Sequence, residues 1–112
     1  MNKRIFILWT NDNPVTAELM VCMYAHNAKK EKWWDEVTVI IWGATTLLAA
    51  KDEAIQFKLK EMMADGVNVS ACKSCADQLG VCSELESLGI EVKYWGKGLT
   101  EILKSEDRLL TI

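Results

Sequence analysis

Val37-Thr38-Val39-Ile40-Ile41-Trp42 is a run of strong β-branched content closed by Gly43. A short run of this kind, ended by a turn signal, reads as a strand buried on both faces. Upstream, Ile5-Phe6-Ile7-Leu8-Trp9 reads the same way. Between the two runs Asn13 can cap a helix with Pro14 at its first position. Residues 15–28 are apolar almost all the way round, so this helix is expected to be buried on more than one side. Downstream, a second helix is expected over 52–64, with Ile55, Leu59 and Met62 on one face, charged residues on the other and Gly66 as its stop. Residues 67–71 then form a third strand, and 73–88 a helical stretch broken around Gly80 and stopped by Gly89. Residues 90–95 make a fourth strand, Gly96-Lys97-Gly98 a turn into a short helix at 99–104, and 108–112 a fifth strand. The pattern βαβαβαβαβ predicts a three-layer α/β/α fold of flavodoxin- or Rossmann-like architecture. Its five-stranded, mainly parallel sheet carries helices on both faces and right-handed crossovers.

Composition agrees with a globular domain. The chain has 112 residues, 50% of them hydrophobic and 26% charged, enough for one core and too few for two. No linker, repeat or low-complexity segment divides it, so residues 1–112 are expected to form one domain. The net charge of -3 and a pI near 5.1 argue against a phosphate-tracking surface, so no nucleic acid is expected as partner. Met1-Asn2-Lys3-Arg4 precedes only five apolar residues, far short of a signal-peptide core. No stretch approaches the roughly 18 apolar residues of a membrane span. A soluble, cytoplasmic protein without membrane partners is expected. Cys22, Cys72, Cys75 and Cys82 are accordingly expected as free thiols. The apolar first helix and the two edges of a five-stranded sheet both call for cover, and a homo-oligomer supplies it.

In open parallel sheets ligands bind beyond the carboxyl ends of the strands. The residues at that edge are Trp9-Thr10, Trp42-Gly43, Ala71-Cys72 and Trp95-Gly96. The tryptophans read equally as an aromatic wall around a reactive thiol and as bulky groups that cap the core or fill a subunit interface. Cys72 ends the third strand and opens the next helix, where unpaired backbone N–H groups and the helix dipole favour thiolate. Lys73 adds a positive charge beside it. Cys75 lies one turn on, where it can attack a mixed disulfide or persulfide on Cys72. The plain alternative is that each cysteine is a small buried hydrophobe.

Rival chemistries fit less well. A thioredoxin-like dithiol carries a later cis-proline beside it, whereas the only proline here is Pro14, before the cysteines. A zinc site would need Cys22 and His26 to join Cys72 and Cys75, and nothing places them together, so no metal is expected. No phosphate loop and no Gly-x-Gly-x-x-Gly follows the first strand, and Gly96-x-Gly98 alone is a weak signal. No cofactor is called for. His26 is the sole histidine, so no hydrolase triad can be read.

The segment Ser70-Ala71-Cys72-Lys73-Ser74-Cys75-Ala76-Asp77-Gln78-Leu79-Gly80-Val81 resembles the cysteine segment of the DsrE/DsrF-like family. In that family a cysteine ends a strand, and the helix after it closes on a glycine and a β-branched residue eight or nine positions later. Cys72, Gly80 and Val81 have that spacing. The resemblance extends through Thr10 and Pro14, the Trp42-Gly43 turn, Asp65-Gly66-Val67 and Arg108-Leu109-Leu110-Thr111-Ile112. It implies a small homo- or hetero-oligomer, a trimer or hexamer, and a persulfide carried on Cys72 between sulfur donor and acceptor proteins. Relay members commonly show a basic pair before the glycine where this chain has Gln78-Leu79, and a small apolar residue where it has Cys75.

Two functions of different class follow. The first is a cysteine-dependent sulfur carrier or thiol-redox protein of sulfur metabolism, a possible sulfurtransferase, using Cys72 with Cys75 and Lys73. The second is a non-catalytic oligomeric binding or regulatory module whose pocket is built from Trp9, Asn11, Trp42, Gly43, Thr45 and Trp95.

Overall fold

A computed structural model describes residues 3–112. Five strands, β1 (Arg4–Trp9), β2 (Glu36–Ile41), β3 (Asn68–Cys72), β4 (Glu91–Lys93) and β5 (Arg108–Thr111), form one sheet in the order β4-β3-β2-β1-β5. Every pairing is parallel, as the unbroken apolar runs require. The helices are α1 (Pro14–Thr16), continued by π-helical turns over Ala17–Cys22 into α2 (Met23–Lys30), then α3 (Thr45–Lys51), α4 (Glu53–Ala64), α5 (Lys73–Leu79), α6 (Cys82–Ser87) and α7 (Gly96–Lys104). None is long and apolar enough to cross a membrane.

The first three crossovers step in one direction along the sheet, so a single hand of connection puts their helices on one face. The large core forms there, with Ile5, Ile7, Trp9, Val37, Val39 and Val69 of the sheet against Val21, Ile55, Leu59, Met62 and Leu85 of the helices. The last crossover returns to the far side of β1 and carries α7 to the opposite face. A second, smaller core of Ile40, Trp95 and Ile102 forms there, with Phe6, Leu8, Trp42 and Leu109 packed on it. Beyond α7 this face is polar, with Thr38, Asn68 and Ser70 bordering an open trough of about 550 Å³.

Asn13 caps α1 as its position implies, its side chain accepting from the backbone N–H of Val15 at 2.9 Å and of Thr16 at 3.2 Å. Pro14 is the first helical residue. Gly66 and Gly80 follow α4 and α5 with φ of +99° and +71°, a conformation that spares a residue without a Cβ.

Four expectations are corrected. The first helix presents only its Ala17, Val21, Cys22, Ala25 and Ala28 side to the core, leaving Val15, Leu19, Met20 and Met23 exposed; its second apolar side is uncovered in the single chain. A separate helix, α3, precedes the one expected from 52. Asp52, in extended conformation, divides them, ending α3 and accepting from Ile55 N–H at 3.0 Å to start α4. The fourth strand is shorter than 90–95, stopping at Lys93. Gly96-Lys97-Gly98 is the first turn of α7 rather than a loop before it.

The last correction has a packing cause. A Cβ on Gly98 would lie 2.8 Å from Cε3 of the Trp95 ring, so glycine is held there by the tryptophan and not by a turn. Overpacking of this kind costs about 1–3 kcal/mol, more than the about 1 kcal/mol that alanine gains over glycine in a helix. Gly98→Ala is therefore expected to lower the thermal midpoint by several degrees, and an unchanged or higher midpoint in a melting curve would contradict this packing.

Candidate functional site

The parallel register fixes the place. Ile41 lies opposite Ala71, so Trp42 and Cys72 leave the sheet side by side, and Cys72 itself lies opposite Lys93. Cys72 is the last residue of β3 and the N-cap of α5, with extended backbone and 3% of its surface exposed. Cys75, in the first turn of α5, is half-buried, and both thiols are free.

The Cys72 sulfur feels two opposed influences. Burial pushes its pKa up from the ordinary thiol value and is the largest effect. The backbone N–H groups of Cys75 and Ser74 pull it down, though the side chain completes no capping hydrogen bond. The Cys75 thiol, one turn on in α5, pushes it up again, both as a hydrogen-bond partner and by charge. The net direction is upward. The sequence-based expectation of a favoured thiolate is thus reversed in the single chain, because a nearly enclosed sulfur loses more from desolvation than it gains from the amides.

Lys73 does not serve Cys72. Its ammonium pairs with Asp77 one turn on at 3.3 Å and stands 6.0 Å from the centre of the Tyr94 ring. Its charge reaches Cys82, whose thiol points to Glu86 at 3.5 Å. Burial and Glu86 raise the Cys82 pKa, and Lys73 partly offsets them.

The six residues expected to wall a pocket are distributed otherwise. Trp9 is fully buried in the large core, its indole N–H donating to the carbonyl of Asn11 at 2.9 Å. Trp42 and Trp95 belong to the small core on the other face. Trp95 donates to the Ser70 hydroxyl at 2.8 Å, and Lys93 stands 4.4 Å from its ring centre. The three tryptophans therefore cap two different cores and make no common wall. Asn11 is exposed, its side chain accepting from Asn13 N–H. Gly43, at φ +71°, turns the chain out of β2 with open space beside it. The Thr45 hydroxyl donates to the Trp9 carbonyl at 2.6 Å and accepts from Trp42 N–H at 3.2 Å, tying the ends of β1 and β2. Of these six, Trp95 borders the trough on the second sheet face and a further cavity beside α7.

One group at this edge was not read from the sequence. Thr46 is fully buried in the first turn of α3, and among the described residues its hydroxyl has no hydrogen-bond partner. Leaving such a group unpaired costs about 1–3 kcal/mol. Two adjacent hydroxyl residues shortly after the Trp42-Gly43 turn are the only signal that pointed to it.

Among the described residues no three histidine, cysteine or acidic side chains converge as metal ligands. His26 is engaged by Asp65 at 2.6 Å, and burial pushes the Cys22 thiol up to about 11.

Residues 3–112 match the DsrE/DsrF-like family. A conserved protein of unknown function from Bacteroides thetaiotaomicron is 41% identical and superposes with a TM-score of 0.96, over 98% of this chain and 95% of that one. The YchN protein of Escherichia coli shares the fold, with a TM-score of 0.75 at 17% identity over the full length of both chains. No curated protein matches the chain.

The electrostatics at Cys72 give a direct test. Because its pKa is raised, alkylation of Cys72 is expected to climb with pH beyond the about 8.5 of a free thiol. Lys73→Ala is expected to leave the rate at pH 7 within about twofold, since the ammonium is directed elsewhere. A rate that levels off well below pH 8.5, or that collapses in Lys73→Ala, would overturn this account.

Proposed function

Because this chain belongs to the DsrE/DsrF-like family, we propose that it is a sulfur carrier that bears a persulfide on Cys72, with Cys75 as the thiol that discharges it. One observation supports this above others: the strand-ending Cys72 is itself the N-cap of α5, with Cys75 in the first turn of the same helix and both thiols free. A lone packing cysteine needs no such company.

The chemistry follows from that grouping. The Cys72 thiolate attacks the outer sulfur of a donor persulfide, the donor's S–S bond breaks, and the donor sulfur leaves with the electron pair as a thiolate. An acceptor thiolate reverses these steps and takes the sulfur away. In the absence of an acceptor, the Cys75 thiolate attacks the inner sulfur of Cys72, expels hydrosulfide and leaves a Cys72–Cys75 disulfide. A dithiol reductant then restores both thiols. The raised pKa keeps the unloaded thiol protonated, which slows its oxidation by adventitious oxidants. Lys73 has no part in this scheme.

Assembly belongs to the same proposal. Val15, Leu19, Met20 and Met23 form an apolar stripe on the outer side of the first helix, with Leu19 69% exposed, and contact with further copies of this chain covers it. A trimer or hexamer is the form we assign, and Leu19→Glu is expected to shift light scattering towards the monomer.

Peptide-resolved mass spectrometry after incubation with a low-molecular-weight persulfide tests the carrier itself. Added sulfur is expected on Cys72, none on Cys72→Ser, and a longer-lived load on Cys75→Ser. Uptake confined to other cysteines would sink the proposal.

A further inference from the structure

We infer that Lys93 is the counter-ion of the persulfide on Cys72, its ammonium pairing with the charged outer sulfur, an inference that rests on the sulfur-carrier reading above. Strand alternation fixes the face on which the two side chains stand. Val69 and Ala71 of β3 belong to the large core and Val92 of β4 packs on it, so Ser70, Cys72, Glu91 and Lys93 are turned to the opposite side of the sheet. The register pairs them across the two strands, Ser70 with Glu91 and Cys72 with Lys93. The first pair shows that side chains meet along this line, because the Ser70 hydroxyl lies 3.1 Å from Glu91 Oε1. Cys72 and Lys93 repeat that relation one step on, across strands about 4.8 Å apart, a gap that a lysine side chain spans. On its β2 side Cys72 has Trp42 for a neighbour, which brings no charge.

In the unloaded chain the ammonium is held elsewhere. It stands 4.4 Å from the centre of the Trp95 ring and 3.6 Å from Glu91 Oε1, at the level of the Ser70–Glu91 pair. The Lys93 side chain is 50% and the Glu91 side chain 64% exposed, and contacts so close to solvent are weak enough to exchange for a stronger one. Lys93 borders both cavities of this face. Of the other charged groups there, Arg4 is paired with Asp107 and Glu101 faces Lys97 at 4.0 Å, while Glu36 and Glu91 repel an incoming anion. Lys73, on the α5 side, is held by Asp77. Among the described residues Lys93 is therefore the cation beside Cys72 that a new anion can recruit. The persulfide supplies that anion. Its outer sulfur stands about 2.05 Å beyond Sγ and carries the charge once its proton has passed to solvent. A charge-assisted contact with the ammonium then replaces the ring contact and the surface pair. Lys93 forms and breaks no covalent bond; the electron pair of the donor's S–S bond leaves on the donor sulfur as before.

The test uses the full chain, Lys93→Gln and Lys93→Arg, each loaded with inorganic polysulfide and then freed of the donor. Alkylation of the loaded Cys72 is followed against pH by peptide-resolved mass spectrometry. Alkylation of the unloaded thiol is measured in parallel. Lys93→Gln is expected to move the midpoint of persulfide ionisation up by about one pH unit, because a cation beside an anion lowers its pKa by at least about that much. Lys93→Arg is expected to keep the native midpoint, and the unloaded thiol to titrate alike in all three, since the ammonium is directed away from it. An unchanged persulfide midpoint in Lys93→Gln, with the native chain loaded at Cys72, overturns the role of Lys93 and leaves the carrier reading standing. An equal shift in the unloaded thiol also overturns it, as that marks a charge acting on the bare sulfur. So does an equal shift in Lys93→Arg, which marks a packing effect. A native chain that takes up no sulfur at Cys72 overturns both.

Discussion

The single hand of the crossover connections governs this molecule. Three right-handed steps from β1 to β4 stack the helices from Pro14 to Ser87 on one face of the sheet, and the return step to β5 leaves only α7 for the other. Because every strand runs the same way, all the strand ends emerge along one edge, and the loops there carry whatever chemistry the chain has. The register narrows the place further. Ile41 opposite Ala71 brings the exits of β2 and β3 together, so a helix-opening cysteine and a helix-opening threonine begin adjacent helices. Neither residue is near the other in sequence.

Two demands compete at Cys72. Packing asks for a small, apolar, enclosed side chain at the junction of sheet and helix, and the thiol at 3% exposure meets it. Nucleophilic chemistry asks for a thiolate, which enclosure opposes. The amides of Ser74 and Cys75 moderate the conflict without reversing it. Such a sulfur is slow to react in the single chain. A carrier benefits from that reserve, because an exposed low-pKa thiol is the one most readily lost to oxidation.

Much of the fold was legible because its signals are local. The apolar runs at 5–9 and 37–42, the Asn13-Pro14 start and the glycine stops each name an element by backbone chemistry alone. The cysteine edge was legible through the general rule for parallel sheets. What escaped the sequence depends on long-range contacts. Gly96-Lys97-Gly98 looks like a turn until Trp95 is seen lying against Gly98. Lys73 looks like a partner for the adjacent cysteine, but helical geometry gives it Asp77 four residues on. The tryptophans look like one wall because they share an edge, whereas Trp9 faces one core and Trp42 and Trp95 the other. The apolar circumference of the first helix was read correctly as excess, and the single chain leaves that excess exposed at Leu19 and Met23.

Thr45 and Thr46 show how a fold separates structural from available polar groups. They are the same residue type, adjacent, and equally buried. One hydroxyl is fully committed, bridging the Trp9 carbonyl and the Trp42 amide so that β1 and β2 end in register. Rotation by one helical position points the other away from that junction, where nothing among the described residues meets it. Native interiors satisfy nearly all their buried polar atoms, so this hydroxyl is an exception that local stability does not explain. The same logic orders the rest of the edge: Asn11 and Asn13 are absorbed by turns and caps, Ser70 by Trp95, and Lys73 by Asp77. With those groups accounted for, the two thiols of the β3–α5 junction and the Thr46 hydroxyl of α3 are left uncommitted, each on its own helix.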